Sequence, residues 1–442
     1  MDTALTKRFF WMEEDSRTYA DQIQQTIHGF SNRDYVREVQ HSIRRFAEEI
    51  SQNSLQLYAG TNVMSPAAEA ALSARIGSLP SMGHPGNKYQ TGLAHTEKVE
   101  VITYELINRV FGSVHGEFRL FSGTLANAAV IFSYVKPGES IMVLPEWAGG
   151  HASHHQVGVA GHMRLDIQEI PYDAANMTVD VTAFAAKVKE VQPKLVIVGG
   201  SLALTRYPVR EMKEICQRQG AILLYDAAHL SGLIAGREYQ LPLEEGADVM
   251  TMSTYKSLGG PPGGLIVTKN PEVARRIDRV TYPGFVANYD ANRVCSLAIS
   301  LAETAEFGQA YAKECIKNAQ SLAAHLADNG LPVLQPVAEY TQTHHVAIDA
   351  RPFGGGGKVA RDVEPSGILF SGIELPGEKA AGDINGIRIG VQEVTRWGMK
   401  ADEMKLIAEW TADAVFGRRP KEEIKKDVMT LRKSFQQVHY CF

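Results

Sequence analysis

Between about residues 115 and 270 the chain alternates short β-rich runs with amphipathic helical stretches, and this alternation restricts the fold more than any other feature. Strands separated by helices do not pair as hairpins. They are laid side by side through βαβ crossovers into a mostly parallel sheet covered by helices on both faces. The expected strands are 118–121, 140–144, 164–170, 194–198, 221–225, 249–252 and 264–268. Helices are expected at 181–191, from apolar residues at helical spacing, and at 209–218, from charge pairs along one face. Together they predict a large α/β domain over residues 50–290, three-layer αβα around a seven-stranded sheet.

The flanks read differently. Residues 1–49 are expected to form an N-terminal helical arm, charge-rich from Arg33 to Glu49 and without the character of a signal or transit peptide. Residues 291–442 are expected to form a smaller α+β C-terminal domain. It would hold a long helix at 296–329, short strands at 333–334, 345–348, 368–370 and 386–390, and closing helices at 402–416 and 421–435. The run Gly354–Gly357 reads as a flexible loop. At 442 residues the chain exceeds the roughly 250–300 at which a single core stops growing.

Charge excludes some functions. With 45 basic and 50 acidic residues the net charge is −5, which gives no broad attraction to nucleic acid or to an acidic membrane. No apolar run reaches the ~18 residues of a membrane helix. The four cysteines have no C-x-x-C spacing, so neither a disulfide framework nor a metal site is expected. A cytoplasmic location fits.

Three places carry chemistry. Lys256 follows Ser253-Thr254-Tyr255 at the end of a β-rich run and precedes a Gly/Pro turn. Burial there would lower its pKa and free the amine for an aldehyde. Asp226 ends the run 221–225 and is followed by Ala227-Ala228-His229. A carboxylate at a strand's carboxyl end can pair with a protonated ring nitrogen. Ser122-Gly123-Thr124 opens an apolar helix, where hydroxyls, backbone N–H groups and the positive helix end suit a phosphate. Alone, each has an ordinary reading: a surface lysine before a loop, a helix-capping aspartate beside a structural histidine, a common Ser/Thr cap. In the chain order Ser122-Gly123-Thr124, then Asp226, then Lys256, each at a strand end, they point to a pyridoxal phosphate site.

With Leu57-Tyr58-Ala59-Gly60-Thr61-Asn62, Gly83-His84-Pro85-Gly86-Asn87-Lys88-Tyr89, Gly149-Gly150-His151 and Gly386-Ile387-Arg388-Ile389-Gly390, these stretches resemble fold type I pyridoxal-phosphate enzymes of the serine hydroxymethyltransferase group. The resemblance implies Lys256 as the imine-forming lysine, Asp226 as pyridinium partner and His229 beside the phenolic oxygen. It implies Ser122, Gly123, Thr124 and Ser253 around the phosphate, with Gly263 and Gly264 reaching the phosphate of a neighbouring subunit. A homodimer with shared active sites follows, with a tetramer as the alternative. Arg388 would hold the substrate carboxylate, with Tyr58 and His84 also at the substrate.

Departures from the family pattern bear on the reaction. The glutamate expected before Pro85-Gly86 is Met82, and the folate-linked polar triplet reads Ser371-Gly372-Ile373. Two arginines that flank the lysine loop in the family are Gly259 and Pro262. Tetrahydrofolate is therefore not expected as a co-substrate. Either Trp147 or His151 would cover the cofactor ring, and His84, His151 and Tyr255 are the candidate bases. What remains is aldolase chemistry on a β-hydroxy amino acid. The resemblance points first to the α-methylserine aldolases, which release alanine and formaldehyde. L-threonine transaldolases and folate-dependent hydroxymethyltransferases are the alternatives. A non-catalytic cofactor-binding regulator is disfavoured by intact Lys256, Asp226 and Arg388, and a nicotinamide-binding protein by the missing G-x-G-x-x-G.

Overall fold

The computed structural model of the chain describes residues 9–113 and 115–442. The chain divides into two units, Met1–Ser54 and Leu55–Phe442. In the first, α1 (Glu14–Thr26) and α2 (Asn32–Phe46) are helical, while residues 1–8 of the expected arm lie outside the described residues. A reciprocal cap between Ser31 and Asp34 starts α2. Val36, Val39, Ile43 and Phe46 are exposed along α2 at helical spacing.

In the second unit, β1 (His115–Glu117), β2 (Ser140–Val143), β3 (Asp166–Glu169), β4 (Leu195–Gly199), β5 (Ile222–Asp226), β6 (Val249–Ser253) and β7 (Gly264–Thr268) form one sheet. Its order is β1-β7-β6-β5-β4-β2-β3. The pairings from β3 across to β6 are parallel, and β7 is antiparallel to both of its neighbours. β4, β6 and β7 are buried throughout, as the unbroken apolar runs of a sheet covered on both faces require. Six strands lie within about two residues of their expected ends.

The first does not. The strand expected at 118–121 is displaced upstream to His115–Glu117, because Glu117 accepts the Arg119 backbone N–H at 2.8 Å and its Nε at 2.9 Å. That local hydrogen bond turns the backbone out of the ladder. The glycine run is corrected too: after Gly354 and Gly355 turn with positive φ, residues Gly356–Val363 are helical.

Two helices bear on the site, α3 (Gly123–Tyr134) and α4 (Ala291–Asp328), the latter beginning five residues before the expected 296. A smaller antiparallel sheet, β8 (His345–Asp349), β9 (Ser371–Ile373) and β10 (Gly386–Gly390), has β10 in the middle. The strand expected at 368–370 splits: Ile368–Leu369 pairs with Leu55–Gln56, and β9 pairs with β10. Val333 makes only an isolated bridge to Ile348. The closing helices are Ala401–Phe416 and Lys421–Arg432. One apolar cluster surrounds the large sheet, and a second lies between the small sheet and the C-terminal helices. Among the described residues no helix is long and apolar enough to cross a membrane.

Candidate active site

The chain runs from β2 out to β3 and then returns to β4 on the other side of β2, so β2 and β4 mark a switch point, where open α/β sheets bind ligands at their carboxyl edge. Asp226 ends β5, in register with Gly199, the last residue of β4, and with Thr251 of β6. Its carboxylate accepts from Asn127 Nδ2 at 2.8 Å and from the Ala228 N–H at 2.9 Å, and lies 3.1 Å from His154 Nε2. Thr251 in turn donates to Asn127 Oδ1 at 2.6 Å, which fixes the amide. Burial pushes the Asp226 pKa up, but hydrogen bonding to His154 and Ala228 and attraction to the His154 and His151 rings outweigh it, bringing it down to about 2. A fully buried carboxylate kept ionised this way is poised for a cationic partner.

Lys256 lies just beyond β6 in a loop that closes on itself, Gly259 N–H donating to the Lys256 carbonyl and Gly260 N–H to that of Thr254. Asn62 Nδ2 donates to the same Lys256 carbonyl at 2.9 Å, and Gln392 Nε2 donates to the carbonyls of Tyr58 and Thr61. The lysine amine is 2.9 Å from His229 Nε2. Burial, reinforced by the Arg388 charge, lowers its pKa to about 8. Burial also pushes His229 well below the usual imidazole range, helped by Lys256 and Arg388.

Arg388 stands on the central strand β10, opposite Ala347 and Ser371. It donates Nη1 to the Ser201 carbonyl at 2.6 Å and lies over the Tyr58 ring at 5.8 Å, while its buried Nε has no partner. Below it are His344 and His345, which sequence reasoning did not single out. Both are fully buried, and ring nitrogens of His229, His344 and His345 lie within 4.8 Å of one another. Burial, helped by the Lys256 and Arg388 charges, holds all three imidazoles in the neutral form, and the same charges oppose a metal cation there. The available clue was the His-His pair at the head of a strand.

Ser122 caps α3, accepting from the Leu125 N–H at 3.1 Å. Gly123 is glycine for a reason of space: a Cβ there would collide with Ser253 Oγ at the end of β6. Thr124 is exposed on the first turn. Gly264 spends its N–H on the Leu120 carbonyl at 2.9 Å, and Gly263 accepts from the Thr254 N–H at 3.0 Å.

His151 follows β2, and its Nδ1 accepts from the Ser153 N–H at 3.2 Å. The same Nδ1 lies 2.8 Å from Ser153 Oγ, which holds the ring in place. Burial lowers the His151 pKa to about 4. Trp147, the alternative cover for a ring, is engaged edge-on with Tyr172. Tyr255 is half-buried near Tyr58. His84 is not brought to this cluster within its own chain: it sits in an exposed hairpin, Gly83–His84 paired with Asn87–Lys88, 3.4 Å from Asp278.

These residues fit pyridoxal phosphate. A buried amine of lowered pKa, an ionised buried carboxylate, the Ser122-capped start of α3 and an unpartnered guanidinium Nε surround one place. Comparison with known proteins agrees. The family model described as serine hydroxymethyltransferase matches residues 33–411. An alpha-methylserine aldolase from Ralstonia sp is 43% identical over 389 residues, 88% of this chain and 89% of that protein. One from Variovorax paradoxus is 47% identical over 365 residues, 83% of each. A serine hydroxymethyltransferase from Methanopyrus kandleri is 39% identical over 407 residues, 91% of this chain and 95% of the relative. The fold matches a crystal structure of L-threonine transaldolase from Pseudomonas fluorescens with a TM-score of 0.83 at 24% identity, covering 96% of both chains. With its sequence, fold and carboxyl-edge site in agreement, the chain belongs to the serine hydroxymethyltransferase family of pyridoxal-phosphate-dependent enzymes.

Proposed function

We propose that the protein is a tetrahydrofolate-independent aldolase that cleaves a β-hydroxy-α-amino acid, with α-methyl-L-serine going to L-alanine and formaldehyde. The observation that carries this reading is that Lys256, Asp226 and Arg388 surround one buried place while position 82, a glutamate in folate-using relatives, is Met82. The alpha-methylserine aldolases at 43% and 47% identity support it.

Bound pyridoxal phosphate supplies the electron sink that accepts the carbanion left when Cα–Cβ breaks. Lys256 would be its covalent anchor, and Asp226 would hold the proton on its ring nitrogen. His151 would cover the ring, His229 would lie toward the phenolic oxygen, and Ser122, Gly123, Thr124 and Ser253 would hold the phosphate, with Gly263 and Gly264 reaching that of a neighbouring subunit. The Arg388 fork orients the substrate carboxylate beside Tyr58. Burial raises the Tyr255 pKa and keeps its phenol protonated, so a histidine, His151 or the His84 of the hairpin that a second copy would cover, takes the substrate hydroxyl proton. A substrate without an α-hydrogen leaves retro-aldol cleavage as its open route.

The shared-site homodimer is part of the same proposal. The exposed hairpin carrying His84 and the apolar face of α2, Val36 to Phe46, are surfaces that a second copy would cover. Four unpaired cysteines suit the cytoplasm. The test is product analysis with α-methyl-L-serine, L-threonine and L-serine, each with and without tetrahydrofolate, on material whose mass is measured by light scattering. Alanine and formaldehyde from the first without folate are expected. Strict folate dependence, or acetaldehyde from L-threonine as the sole turnover, defeats the reading.

A further inference from the structure

A phosphate monoester carries nearly two negative charges at neutral pH. The groups around the α3 cup offer it hydroxyls and N–H groups, and none of Ser122, Gly123, Thr124 and Ser253 brings a charge. Nor does the loop after Lys256, where Gly259 and Pro262 stand in place of arginines found in the family. Burying a dianion without a cation is costly.

We propose that Arg293, on the first turn of α4, is the buried cation that neutralises the cofactor phosphate. Its residue is 5% exposed. Nη2 donates to the Phe118 carbonyl at 2.9 Å, and the guanidinium lies over the ring of Phe121, the residue before the Ser122 cap, at 5.7 Å. Nε and Nη1 are buried without a hydrogen-bond partner. Nη1 points at Gly263: a Cβ there would collide with it and would stand 3.1 Å from Thr254 Oγ1. The bare backbone at 263 thus lets the guanidinium seat directly against the lysine loop. That loop meets the α3 cup, for a Cβ on Gly264 would strike the Ser122 carbonyl.

Asp290 and Glu117 attract Arg293, yet neither forms an ion pair with it among the described residues, and Glu117 is engaged by Arg119. Burial lowers the Arg293 pKa to about 10, which leaves it charged at neutral pH. A buried, charged, two-thirds unsatisfied guanidinium beside an uncharged anion cup is explained by an anion between them.

The inference rests on the pyridoxal phosphate reading, and its test separates the two. The full chain, stripped of cofactor, is titrated with pyridoxal phosphate and with pyridoxal, which lacks the phosphate, following absorbance of the Lys256 adduct. Arg293→Met should weaken pyridoxal phosphate binding roughly tenfold or more and leave pyridoxal binding unchanged, with Arg293→Lys recovering part of the loss. Unchanged binding of both, or equal loss of both, overturns the assignment, the second by marking Arg293 as structural. Wild-type protein that binds neither compound overturns the site reading on which it stands.

Discussion

The amine of Lys256 and Nε2 of His229 share a hydrogen bond at 2.9 Å deep in the carboxyl edge of the sheet. Burial lowers both pKa values, but with one of about 8 the amine is still mostly charged at pH 7, so the bond joins an ammonium group to a neutral imidazole.

Cofactor capture should therefore follow the lysine proton. With a pKa of about 8, below its ordinary 10.5, about a tenth of the amine is uncharged at pH 7 and about nine-tenths at pH 9. The rate at which cofactor-free protein takes up pyridoxal phosphate should rise nearly tenfold across that range, with a midpoint near 8. Stopped-flow absorbance checks this; a midpoint above 10 contradicts the burial argument.

Asp226→Asn keeps the shape and removes the charge. The variant should still bind cofactor, and its kcat should fall by about 10²-fold or more, the scale of a lost proton-holding group. Spectral titration for binding and formaldehyde release for turnover separate the two effects.

Arg388→Lys keeps a cation and loses the fork. The expected change is a KM for amino acid raised roughly 10- to 100-fold with a smaller effect on kcat. Steady-state kinetics with α-methyl-L-serine decide; an unaltered KM places the carboxylate elsewhere.

Gly123→Ala drives a methyl group against Ser253 Oγ. Alanine is the better helix former by about 1 kcal/mol, so the variant should not lose helix stability, and its damage should appear as weaker cofactor binding. Thermal melts with and without pyridoxal phosphate test this: a smaller cofactor-induced rise in Tm is expected.

Tyr255→Phe removes a phenol that burial keeps protonated. A kcat lowered by no more than about tenfold with normal cofactor spectra is the expected result, against the roughly 10²–10⁴ of a lost general base. A loss on the larger scale would make Tyr255 the proton acceptor.

Lys256, Asp226 and the Ser122 cap are legible in the sequence because each sits where an apolar run ends, and the sheet turns such endings into neighbours. The α/β order and the central strands are legible for the same reason. Asn127 is harder to see: its role depends on Thr251 and Asp226 meeting across β5 and β6, a register no local pattern reveals. His344, His345 and Arg293 come from elements outside the large-sheet alternation and acquire their surroundings only through long-range packing. The 118–121 run misleads because Glu117 captures Arg119 locally, an event that competes with strand formation without changing the apolar pattern.

Asn62 grips the backbone of the lysine, while Gln392 grips Tyr58 and Thr61 in the same short turn. Residues 58–62 act as a tie bar between the stretch just after the arginine strand and the nucleophile's own loop. A tug at either end is transmitted to the other, so the end of the arginine strand and the lysine loop are mechanically one piece.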